Sequence, residues 1–173
     1  LSTLPVRDGI EEAARMGVST MTSLFDRDQD DEPYFYANHN ADGTGELRHS
    51  VNIGIPHVVG RALVACQHAE ELLGTPFPEE AAEILERYLR SSFDNPDHLN
   101  SFYDPARGGQ RFAEFHNMRE GLYGLVSVIR RSDSAWARET GDAMLETLRS
   151  LTDDTGRWSP ALAEEHGMGG RCE

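Results

Sequence analysis

A chain of 173 residues with a net charge of −14 is long enough to bury one real core. It offers no basic face for a sequence-independent grip on nucleic acid or an anionic membrane. Hydrophobic residues at 38% and charged residues at 27% fit an ordinary soluble protein, no run approaches the roughly 18 apolar residues of a membrane span, and no signal peptide is seen, so a cytoplasmic location is expected.

All 16 basic residues are arginine. Without lysine the sequence has no Schiff-base or lysine-base chemistry and no P-loop lysine, whereas the guanidinium fork suits carboxylate recognition. Cys66 and Cys172 are too few and too far apart for a disulfide scaffold or a zinc site.

In chain order, the first helix is expected over 8–27, where Ile10, Ala14, Gly17, Met21, Leu24 and Phe25 recur at helical spacing behind a capping-box-like Asp8 and Glu11. The acidic run from Asp26, "DRDQDDEPYFYA", has acids at the first, third and fifth positions of a calcium loop. Asp31 stands where that loop needs glycine and Ala37 where it needs a bidentate glutamate, so the run reads as a solvated acidic loop. A second helix over 57–73 carries no charge for two turns after Arg61 and stops at Gly74. Behind Pro76 and Pro78 a third helix, "EEAAEILERYLR", has a single apolar stripe through Ala82, Leu85, Tyr88 and Leu89. The fourth, over 117–130, follows a crowd of polar side chains and then runs uncharged from Gly121 to Ile129. The fifth puts Trp136, Thr140, Met144, Leu148 and Leu151 along one face. No convincing strand is found.

Amphipathic helices (first, third, fifth) thus alternate with helices that are apolar around much of their circumference, as outer helices alternate with inner ones. Short links between the second and third and between the fourth and fifth imply antiparallel hairpins. The long connections, 28–56 and 91–116, then gather at one end. That end also repeats: "ADGTGELRHSVNIGIPHVVGRALVAC" lies beside "YDPARGGQRFAEFHNMREGLYGL", with Asp42 facing Asp104 and His57 facing His116, and "DDTGRWSP" starts as a third copy would. The expected fold is all-α, antiparallel helical hairpins forming part of an (α/α) toroid, with residues 1–173 as a single domain.

The segment "FHNMREGLYGLVSVIRRSDSAWARETGDAMLETLRSLTDDTGRW" resembles a hairpin of the six-hairpin (α/α)6-toroid glycosidase superfamily, near bacterial β-glucuronidase and uronyl hydrolase-like proteins, and the likeness covers most of the chain. A closed toroid of this kind needs about twice this length, so the resemblance implies an N-terminal half that either self-associates or meets a C-terminal half. It also implies a glycoside hydrolase acting on a uronic-acid-containing saccharide. From the residues themselves no cofactor and no bound metal is expected.

In that frame the N-termini of the inner helices line the mouth of the toroid. Glycoside hydrolysis needs two carboxyl groups, one held protonated. Glu120, at the start of an uncharged helix, is the candidate with a raised pKa, with Asp104 or Asp42 as partner and His116 as a further catalytic candidate; pairing of Glu120 with Arg119 or Arg61, and a turn role for the aspartates, are the structural alternatives. Arg111, Arg119, Asn117, His57, Arg61, His49, Arg48 and Tyr103 are candidate substrate-binding residues, with Asn38 and His39 in the same loop. A polysaccharide lyase of the same fold would instead use His or Tyr as base beside Arg or Asn, and a non-catalytic helical-hairpin binding module would use the same rim.

Overall fold

The computed structural model describes residues 6–34, 36–40, 42, 44–49, 54–103, 111–112 and 114–165. Helices dominate: α1 (Val6–Ser23), α2 (Gly54–Leu73), α3 (Glu79–Phe93), α4 (Phe115–Ser132), α5 (Ala135–Ser150) and a short α6 (Pro160–Glu165). The all-α character expected from periodicity holds. Among the described residues no helix is long and apolar enough to cross a membrane.

Among the described residues, three small antiparallel hairpins correct the expectation of no strands. They are β1 (Phe25–Asp26) with β2 (Glu32–Pro33), β3 (Tyr36–His39) with β4 (Gly45–Arg48), and β5 (Phe102–Tyr103) with β6 (Arg111–Phe112). Each sits in a long connection where backbone N–H and C=O groups need partners that helices do not supply. β1 also cuts α1 short of the expected Arg27, because Phe25 is drawn into the core and Tyr34 N–H donates to the Leu24 carbonyl, 3.0 Å away.

Helix ends follow local chemistry. Gly74 takes φ +63° after α2 and Asp133 takes φ +52° after α4, where its N–H caps the Ile129 carbonyl. Ser134 Oγ accepts from Ala137 N–H to start α5.

α2 and α4 are the centre: α2 packs on α1, α3 and α4, and α4 packs on α2, α3 and α5. Their contacts pair His57 with His116 and Arg61 with Glu120, both 59 residues apart, so the two helices run side by side in the same direction. Gly60 and Gly124 permit this crossing, and Gly121 lets α4 sit close on Asn100. A Cβ at Gly60 would meet the Glu120 carbonyl oxygen at 1.8 Å, one at Gly121 would meet the Asn100 Cβ at 2.7 Å, and one at Gly124 would meet a Leu89 methyl at 2.8 Å and the Gly60 Cα at 3.2 Å. Around them Val59, Leu63, Leu85, Leu89, Leu99, Leu125, Val128 and Met144 form the core. The remaining outer surface is held by Arg27 to Asp31 and Glu80, by Arg87 to Asp30, and by Arg131 to Glu79.

Candidate functional site

The first turns of α2 and α4 emerge together, because the Gly60 crossing locks the helices at that level. Asn100, fully buried, braces the entrance: its amide donates to the Pro56 carbonyl (2.9 Å) and to the Asn117 carbonyl (2.6 Å), tying one helix start to the other. The expected residues His57, Arg61, His116, Asn117, Arg119 and Glu120 are brought to one place.

Glu120 is 1% exposed. Its Oε1 accepts from Arg61 Nη2 at 2.9 Å, and from Arg119 Nη2 at 2.5 Å and Nε at 3.2 Å. Burial pushes this carboxyl up, but the hydrogen bonds and charges of the two arginines outweigh burial and hold it below the ordinary glutamate value. The expectation of a raised pKa is therefore corrected: Glu120 is a buried carboxylate, and its acid form is disfavoured. Arg61 and Arg119 keep half of their side-chain surface in solvent. Two guanidiniums share this one carboxylate at the N-terminal ends of two helices, on a chain whose net charge is −14, and Glu114 at the start of α4 adds a second carboxylate nearby.

Beside this group, His116 Nε2 lies 3.1 Å from His57 Nδ1, the rings meeting edge to face at 5.0 Å. His116 Nδ1 lies 3.1 Å from Glu114 Oε2. Glu114, just before α4, was not among the expected site residues; its place three positions ahead of Asn117, whose N–H donates to its carbonyl, is the sequence signal that marks it as a helix-start residue. Burial first, then the charges of Arg61 and His116, hold His57 below its ordinary value of 6.5. Asn117 is fully buried, and its amide makes no hydrogen bond of standard geometry although it lies close enough to His57 to favour the imidazolium weakly.

Other expected residues lie elsewhere. His49 belongs to a separate cluster: Nε2 meets Asp26 Oδ2 at 2.8 Å, Nδ1 lies 3.2 Å from Glu32 Oε1, and Tyr34 stacks on the ring at 4.5 Å. The His49 hydrogen bond leads in holding Asp26 below the usual carboxylate range. Arg48 is exposed on β4 and pairs with Glu46 at 3.2 Å. Asp42 is a turn residue, accepting from Thr44 N–H (3.0 Å) and Oγ1 (2.7 Å), which hold its carboxyl low. Tyr103 and Arg111 face each other across β5 and β6, with only their backbones described. The same holds for His39 on β3, and Asn38 is exposed there. Asp104 lies outside the described residues.

The acidic run from Asp26 is spent on protein partners: Asp26 on His49, Asp30 on Arg87, Asp31 on Arg27. Among the described residues no group of three or more His, Cys, Asp or Glu side chains is arranged to hold a metal ion.

Comparison of this chain with protein-family models, with curated proteins and with solved structures gives no match. The functional reading therefore rests on the residues themselves.

Proposed function

We propose that the mouth formed by α2 and α4 binds a uronic-acid-containing saccharide through its carboxylate, as part of a carbohydrate-active (α/α) toroid. The supporting observation is that Arg61 and Arg119 share one buried oxygen of Glu120. That oxygen fixes both guanidiniums while leaving donors of each on the solvent side, ready for a second, external carboxylate.

The expected hydrolytic chemistry needs a carboxyl that is protonated before the bond breaks. Glu120, held low, does not suit that part. The geometry suits elimination better. With Glu114 accepting from Nδ1 of His116, Nε2 of His116 accepts the Nδ1 proton of His57, and His57 Nε2 becomes the basic atom. Its lowered pKa keeps it neutral near neutral pH. His57 would take the C5 proton next to the carboxylate, the C5–H electrons would form the C4=C5 bond, the C4–O bond would break, and the departing oxygen would take a proton from water. Arg61 and Arg119 would stabilise the negative charge that builds on the carboxylate.

The test is incubation with uronic-acid polysaccharides, with binding read by calorimetry. Elimination gives an unsaturated uronate with a new ultraviolet absorbance; hydrolysis gives new reducing ends without it. Arg61→Ala with Arg119→Ala should abolish binding, while His57→Ala should keep binding and lose turnover. No binding of any uronate-containing saccharide would overturn the reading.

A further inference from the structure

α3 and α5 both pack on α4, and two helices that rest on a third leave a furrow between them. Here the furrow is an open groove of about 900 Å3, within the size range of ligand sites, and it shares no lining residue with the α2–α4 mouth. The turn after α3 forms one wall and is fixed in place. Asn95 Oδ1 accepts from Leu99 N–H (3.1 Å) and Asn95 Nδ2 donates to the Leu99 carbonyl (2.8 Å), while Thr147 Oγ1 of α5 donates to the Asp97 carbonyl (2.8 Å). Between these bonds His98 takes φ +51° and lines the groove, exposed.

Trp136 supplies the apolar wall. The Arg90 guanidinium lies 3.9 Å from its ring centroid and is itself held by Glu86 Oε1, 3.1 Å from Nε and 2.6 Å from Nη2. The plane of the indole is thus set before any ligand arrives. One turn on, Thr140 is only 6% exposed, yet its hydroxyl makes no hydrogen bond among the described residues. A buried hydroxyl without a partner is costly, and one that lines a groove can be satisfied from the groove. Glu139 lines it too, exposed and without an ion pair among the described residues, whereas the charge of Arg90 is met by Glu86.

We propose that this groove binds a neutral, β-linked gluco-oligosaccharide, at a site separate from the mouth. A glucose ring whose hydroxyls are all equatorial turns a C–H face to the indole of Trp136. Its hydroxyls, each both donor and acceptor, meet Thr140, Glu139 and His98. The uncompensated carboxylate of Glu139 repels a uronate from the same place.

Calorimetric titration of the intact chain with cellotetraose should show binding. In a Trp158→Phe chain, whose indole emission comes from Trp136 alone, the same titration should shift the fluorescence. Thr140→Val keeps the shape and removes the hydroxyl, so it should keep or raise the melting temperature while weakening cellotetraose binding about tenfold. Excess tetragalacturonate should not displace cellotetraose, whether or not the mouth binds it, so the groove and the mouth are tested separately. No binding of cellotetraose, a Thr140→Val chain with wild-type affinity, or displacement by tetragalacturonate would each overturn the proposal.

Discussion

Gly60 of α2 lies so close to Glu120 of α4 that a Cβ at position 60 would stand 1.8 Å from the Glu120 carbonyl oxygen. The obstacle is backbone, which cannot turn aside as a side chain can. Gly60→Ala must push the two central helices apart, at a cost of about 1–3 kcal/mol or more. A chain of this size then loses about 2–4 °C of melting temperature per kcal/mol. Thermal unfolding followed by circular dichroism checks this, and an unchanged melting point would refute the crossing.

The pH dependence of stability follows from Glu120. Its folded pKa is depressed, so its contribution is fully present above the unfolded value of 4.5 and is lost as pH falls through the lower folded value. In a chain carrying Arg61→Ala and Arg119→Ala, burial acts alone and the sign reverses: the folded pKa rises above 4.5, and the variant recovers stability relative to wild type as pH falls from neutral towards 4.5. Melting curves of both chains between pH 3 and 7 should converge on acidification (about 0.5-unit steps suffice for shifts of this kind). A constant gap between them would refute the ion-pair account.

His57 should titrate below 6.5, because burial and then the Arg61 charge oppose its protonation. Stability tied to this group is present above 6.5 and is lost as pH falls towards its folded value. Arg61→Ala removes one of the two leading causes, so the titration midpoint should move up but stay below 6.5, with burial remaining. Nuclear magnetic resonance of the imidazole protons reads the midpoint directly.

Cys66, on α2, is buried, and burial pushes its thiol up to about 12. With almost no thiolate at neutral pH it should resist alkylation in the folded state. In a Cys172→Ser chain, labelling should appear only with denaturant and at the unfolding midpoint; rapid labelling of the native protein would contradict the burial.

The helices were legible because their cause is local. The uncharged run from Gly121 to Ile129 and the stop at Gly74 are written in consecutive letters, whereas α4 runs on to Ser132, past the expected end at 130. The pairing of His57 with His116 was legible too, since a repeat aligned them and parallel neighbours keep a constant offset. The β hairpins were not: two- and four-residue ladders are too short to show alternation. The state of Glu120 was misread for a different reason. Its burial could be inferred from the apolar letters around it, but whether burial or pairing wins depends on two guanidiniums reaching one oxygen, and Arg61 comes from 59 residues away. His49 was placed at the mouth by its loop, while its partners Asp26 and Glu32 lie in an earlier hairpin that no periodicity announces.

The brace at Asn100 carries one more consequence. Its single amide group spans two carbonyls, Pro56 O and Asn117 O, that belong to the starts of different helices. The gap between those starts is thus a fixed gauge, set by main-chain atoms and one fully buried side chain, and no rotamer change can widen it. Under the proposed function, that preset span would be the part of the site that a ligand has to match.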